Sequence, residues 1–209
     1  MSAGDFVPSG ADLDGLRAAA QRCKGCELWE HATQTVFSAG PLDARVVLVG
    51  EQPGDQEDRQ GAPFVGPAGH LLVRAVDEAG IERSTTYRTN VVKHFRFTQD
   101  GPGKRRIHQT PDRLHVEACR PWLRAELALL SPVVIVCLGA TAAKGMLGVS
   151  FRVTRQRGET FPFLPSTATA GPPWIMAAIH PSAVLRADDT EQAYAGLVAD
   201  LRIAADLLA

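Results

Sequence analysis

The sequence predicts an α/β fold: a three-layer α/β/α sandwich around a central, mostly parallel sheet. Short β-branched runs alternate with segments of helical apolar spacing, the pattern of a parallel sheet covered on both faces. The runs 45–50 and 133–139 are nearly continuous in Val, Ile and Leu, as strands buried on both faces are. Three polar segments, 51–55, 90–94 and 180–182, fall at the carboxyl ends of expected strands, where ligands bind in such sheets.

In chain order, residues 1–10 carry Gly, Ser and Pro without periodicity and are expected to be loose. Leu13, Leu16, Ala20 and Cys23 recur at helical spacing and deliver Cys23-Lys24-Gly25-Cys26 at a helix end. The strand 45–50 stops at the turn-rich Glu51-Gln52-Pro53-Gly54-Asp55. A helix is expected over 67–79 and a strand over 87–92. A long basic connection follows at 93–113, with Gly101-Pro102-Gly103 inside it. Leu123, Leu127 and Leu130 mark an amphipathic helix after Pro121, with Cys119 at its opening. The strand 133–139 leads into a short helix, 140–147, and 164–173 reads as loop. A strand at 174–179 ends at His180-Pro181-Ser182, and Tyr194, Leu197, Leu201 and Leu208 mark a closing helix. No internal repeat or second domain is visible, so residues 1–209 read as one domain.

Composition narrows the function. The 209 residues are 45% apolar and 22% charged, enough for a hydrophobic core without disulfide staples. A net charge of -1 excludes a globally basic nucleic-acid coat, so any such contact must come from a local cluster. The first residues lack a signal-peptide pattern, and the longest apolar run, 133–140, is too short to cross a bilayer. A cytoplasmic, monomeric protein without a membrane partner is expected.

Four cysteines in that setting point to metal binding or burial rather than to disulfides. Cys23-x-x-Cys26 has chelate spacing, although two half-buried thiols would look the same. Cys137 lies inside an apolar strand, where a free cysteine behaves as a small hydrophobe. Cys119 and His94 remain as candidates for further ligands. Phosphate loops of the G-x-x-x-x-G-K-[ST] and G-x-G-x-x-G types are absent, as is the G-x-S-x-G elbow of serine hydrolases. The connection 93–113 sets Lys93, Arg96, Lys104, Arg105, Arg106 and Arg113 against Asp100 and Asp112, with Phe95 and Phe97 interleaved. It reads either as a solvated loop or as one that contacts nucleic-acid phosphates. His108 alone would be an ordinary surface histidine.

Five motifs in order then resemble the family 4 uracil-DNA glycosylases of the uracil-DNA glycosylase superfamily. They are Gly50-Glu-Gln-Pro-Gly-Asp-Gln-Glu-Asp58, Gly61-Ala-Pro-Phe-Val-Gly-Pro-Ala-Gly69, Thr89-Asn-Val-Val-Lys93, Leu138-Gly-Ala-Thr-Ala-Ala143 and His180-Pro-Ser182. Two departures matter. His94 stands where the family usually has a cysteine, and an inserted Lys104-Arg-Arg-Ile-His108 is similar to the UdgX-type branch, whose loop histidine attacks deoxyribose.

The resemblance implies uracil-containing DNA, single- or double-stranded, as partner and a [4Fe-4S] cofactor held by Cys23, Cys26, His94 and Cys119. It implies that Phe64 stacks on uracil, Asn90 reads its N3–H and O4, and His180 meets O2. Gln52 would add a backbone contact, and Asp55 would lie where thymine's methyl is excluded. Glu51 would stabilise the sugar cation, and Lys104, Arg105, Arg106 and Ser182 would contact DNA. His108 would attack C1′, giving a single-turnover, covalent excision. A conventional multiple-turnover glycosylase is one alternative, and a non-catalytic iron–sulfur protein that binds nucleic acid is another.

Overall fold

The computed structural model describes residues 2–101, 103–164 and 172–209. Among them are the strands β1 (Ser38–Ala39), β2 (Val46–Gly50), β3 (Thr86–Asn90), β4 (Phe97–Thr98), β5 (Ile107–His108), β6 (Val134–Leu138), β7 (Thr160–Pro162) and β8 (Trp174–Ala178). The helices are α1 (Leu13–Ala20), α2 (Asp55–Gln60), α3 (Pro67–Glu78), α4 (Arg113–Ala128), α5 (Gly139–Leu147), α6 (Val153–Gln156), α7 (Pro181–Val184) and α8 (Thr190–Asp206).

Six strands form one sheet in the order β1-β3-β2-β6-β8-β7. The four central strands are parallel and the two short edge strands antiparallel. Side chains alternate between two cores. Val47, Val49, Ile135 and Cys137 face the layer of α1, α4 and α5, whereas Val46, Leu48, Val134 and Val136 face α3 and α8. The expected α/β/α sandwich is therefore what forms. No helix among the described residues is long and apolar enough to cross a membrane.

Several expectations are corrected. Residues 1–10 are not simply loose: Ala3–Asp5 form a 3-10 turn with Ala3 buried. A Cβ on Gly25 would stand 2.5 Å from the Ala3 nitrogen, so this turn packs directly on the Cys-x-x-Cys loop. The helix expected after Pro121 begins earlier, at Arg113, and Pro121 lies inside it. Asp112 caps it by accepting from the Leu114 and His115 amides, and burial of Val116, Cys119, Trp122 and Leu123 outweighs the hydrogen bond that proline removes. Cys119 therefore lies in mid-helix, not at a helix opening. The connection 93–113 is not structureless, since β4 and β5 pair as a hairpin with Phe97 opposite His108. The loop expected at 164–173 falls largely outside the described residues.

Candidate active site

Parallel order sets the ends of β3, β2, β6 and β8 side by side, and polar residues follow each of them. Gly50 ends β2 where a side chain cannot fit: a Cβ there would collide with Asn90 Oδ1 and stand 2.7 Å from Phe64 Cζ. Phe64 and Asn90 thus meet over Gly50, both buried. Phe64 is the one non-glycine described residue at positive φ (58°), a conformation costing about 1–3 kcal/mol. Gly69 at the start of α3 permits it, because a Cβ there would overlap the Phe64 carbonyl.

His180 follows β8 at the same end of the sheet. Its ring packs so near Gly139 that a Cβ on that glycine (φ +83°) would lie 2.8 Å from His180 Cβ. Nδ1 accepts the Ser182 amide at 3.1 Å, and the Ser182 hydroxyl lies 2.7 Å from the same nitrogen. Nε2 is left carrying the proton, as a donor. Burial, with Arg186 and His108 nearby, pushes the His180 pKa down to about 4. The ring is therefore neutral at pH 7. Ser182, expected on DNA, has its hydroxyl proton directed to this ring.

Glu51 and Gln52 divide two tasks. Thr141 at the start of α5 donates to Glu51 Oε2, which leaves Oε1 facing His108 Nε2 at 3.4 Å. Gln52 is buried and clamps the base of the hairpin. Its Oε1 accepts the Arg96 amide at 3.0 Å, and its Nε2 donates to the Arg96 and Gln109 carbonyls, each at 3.1 Å. The Gln52 side chain thus grips the hairpin rather than the pocket. His108 is half-exposed at the hairpin end, and burial outweighs Glu51's attraction to hold its pKa below the usual histidine value.

Two cations of the basic connection are not available to phosphates. Lys93 is buried against Glu126 and Thr89. Arg106, expected on DNA, is only 7% exposed. It binds Asp58 at 2.6 Å, pairs with Asp55 and lies over the rings of Phe95 and Phe97 at 5.3 and 4.9 Å. Burying a guanidinium demands such partners. The Asp55 carboxylate is accordingly engaged by Arg59 and Arg106. Burial alone would raise its pKa, but these two guanidiniums overcome that and hold it below the carboxylate norm. Lys104 and Arg105 remain exposed.

Cys23, Cys26, His94 and Cys119 line one cavity together with Lys93 and Trp122. Trp122 Nε1 donates to Cys23 Sγ at 3.2 Å. Such an N–H···S bond suits a thiolate. Burial otherwise pushes the Cys119 thiol up to about 12 and raises Cys26 as well. Among the described residues, no three His, Cys, Asp or Glu side chains close in as a single-ion site requires. Cys137 lies apart, wholly buried in β6.

Sequence reasoning missed Thr141, Thr35 and Asp58. Asp58 had a signal, since it shares a helix face with Asp55 at i+3. Thr141 stands in the Leu138–Ala143 motif, although nothing there marks its hydroxyl for the site, and Thr35 had no signal.

Comparison with known proteins shows the family to which this fold belongs. Residues 37–202 match the model of the uracil DNA glycosylase superfamily. The Type-4 uracil-DNA glycosylase of Thermotoga maritima is 38% identical over 167 residues, covering 79% of each chain. Those of Pyrobaculum aerophilum and Archaeoglobus fulgidus are 35% and 32% identical, covering 84% and 87% of this chain and 85% and 87% of theirs. The chain belongs to the uracil-DNA glycosylase superfamily.

Proposed function

We propose that this protein excises uracil from DNA and that His108 then captures the sugar, leaving the protein covalently joined to C1′. The observation that carries this reading is the approach of His108 to Glu51, the residue after the Gly50 that Phe64 and Asn90 cover. Uracil must first leave the base stack, at a cost of a few kcal/mol. Phe64 then stacks on it, while the Asn90 amide donates to O4 and accepts from N3–H. Cytosine has an amino donor at C4 and no N3–H, so both halves of the amide go unmatched.

The C1′–N1 bond breaks with its electron pair on uracil, and the His180 Nε2–H meets the charge gathering on O2. The sugar cation faces the Glu51 carboxylate. Glu51 Oε1 takes the proton from His108 Nε2 as that nitrogen bonds to C1′, and the carboxyl proton then passes to the departing base. Ring N–H and C1′–N1 thus become ring N–C1′ and uracil N–H, and no water is consumed. The lowered His108 pKa keeps the nucleophile neutral at cellular pH. An alkylated imidazole leaves poorly, so each protein acts once.

Cys23, Cys26, His94 and Cys119 are the proposed ligands of a [4Fe-4S] cluster, a reading supported by their shared cavity and by the Trp122 N–H···S bond to Cys23. Such a cluster, when bound, cross-links three distant chain segments, and a histidine ligand favours a higher potential. Lys104 and Arg105 are the proposed phosphate contacts.

The type-4 relatives favour a second reading, in which water attacks C1′ and His108 contacts a phosphate. Uracil release with DNA in large excess separates them. Capture yields one uracil per protein, and hydrolysis yields many. No uracil release under either condition would overturn both readings and leave a non-catalytic DNA-binding protein.

A further inference from the structure

Thr35 is buried between two chain segments that bear proposed cluster ligands. Its hydroxyl lies 2.8 Å from the carbonyl of Ala20, the last residue of α1, three residues before Cys23. On its other side the same oxygen lies 2.9 Å from His94 Nε2. The threonine is fixed independently of the histidine: Gln21 Nε2 donates to its carbonyl at 3.2 Å, and the next amide, of Val36, donates to the Lys93 carbonyl at 2.9 Å.

A hydroxyl has one proton to give. If that proton went to Nε2, the hydroxyl oxygen would face the Ala20 carbonyl oxygen lone pair to lone pair in a buried site, which is repulsive. If it goes to the carbonyl, the hydroxyl oxygen accepts from Nε2–H, and all three groups are satisfied. The ring proton then sits on Nε2 and the lone pair on Nδ1.

We propose that Thr35 fixes the tautomer of His94, making Nδ1 the iron-binding nitrogen, and ties that ligand to the Cys23 turn through the Ala20 carbonyl. The inference rests on the assignment of a cluster to Cys23, Cys26, His94 and Cys119. Metal-binding histidines are commonly oriented by a carboxylate or carbonyl on the far nitrogen. Here the relay runs Nε2–H to hydroxyl to carbonyl, so Thr35 is a positioning residue for the cofactor. Thr35→Val keeps the volume but leaves Nε2–H without an acceptor, whereas Thr35→Ser keeps the relay.

The test uses the full-length protein purified without air, with histidine labelled by 15N at either Nδ1 or Nε2. Iron and acid-labile sulfide analysis comes first, followed by pulsed EPR of the reduced cluster. Strong nitrogen coupling from the Nδ1 label is expected in the wild type and in Thr35→Ser. Thr35→Val should lose its cluster to a chelator about 10-fold faster or more and change the nitrogen coupling. Coupling from the Nε2 label in the wild type would overturn the inference without needing the Val variant to fold. So would a Val variant with unchanged coupling and chelator resistance. A wild type without iron and sulfide would instead overturn the cluster assignment itself, and this inference with it.

Discussion

His180 gains its chemistry from the residue two places on. The Ser182 amide and hydroxyl occupy Nδ1, so the proton is held on Nε2, and burial keeps the ring from taking a second one. That state costs stability in acid. The folded ring titrates at about 4, whereas an unfolded histidine titrates at ~6.5. Above that upper value neither state is protonated, and the ring has no effect on stability. As pH falls below it, the unfolded chain takes up a proton that the folded chain refuses. By about pH 5 the loss is about 2 kcal/mol. Urea denaturation near pH 7 and pH 5 should therefore show a larger acid loss for the wild type than for His180→Asn. An equal loss in the two proteins would mean that the ring is not held neutral by the fold. His180 was legible in the sequence because it follows a strand in a polar tripeptide. Thr141 was not, because a single hydroxyl on a helix leaves no trace in composition or periodicity.

At the scale of elements, the hairpin of β4 and β5 decides what His108 can do. Phe95 and Phe97 stack at 5.1 Å, Arg106 covers both rings, and Asp55 and Asp58 anchor the guanidinium to α2. Gln52 closes the base of the hairpin with three hydrogen bonds. Gln52→Ala should slow adduct formation by on the order of 10- to 100-fold, since small displacements of a reacting group carry such penalties. Affinity for uracil-DNA should barely change, because the side chain spends its bonds on the hairpin. A quenched time course and an equilibrium titration read the two effects separately. A matching loss of affinity would place Gln52 in uracil binding instead. The hairpin escaped sequence reading because each strand has two residues, too few for any period. Helix α2 escaped because Asp55–Gln60 is wholly polar and offers no apolar face. Helix α4 is legible only in its second half, because Pro121 reads as a helix start and the Asp112 cap is followed by no apolar period before that proline.

For the whole molecule, the four-strand parallel centre was legible because Val- and Ile-rich runs have few other places to go. What the parallel order adds is adjacency: Glu51, Asn90 and His180 follow three strand ends at the same end of the sheet. The edge strands β1 and β7, two and three residues long, were not legible. Charge is the other molecular property. With a net charge of -1, attraction to DNA must be local, and burial of Lys93 and Arg106 confines it further. Lys104→Ala and Arg105→Ala should each weaken binding to uracil and control DNA alike and lower the salt slope by about 1. Titrations at several salt concentrations check this, and an unchanged slope would move the phosphate contacts elsewhere.

The most direct measurement of the central claim is a denaturing gel of the protein after incubation with labelled uracil-containing DNA. A slow band that survives boiling, maps to His108 and vanishes in His108→Ala is the predicted result. Alkali-labile abasic DNA without such a band, or a band that persists in His108→Ala, would contradict it.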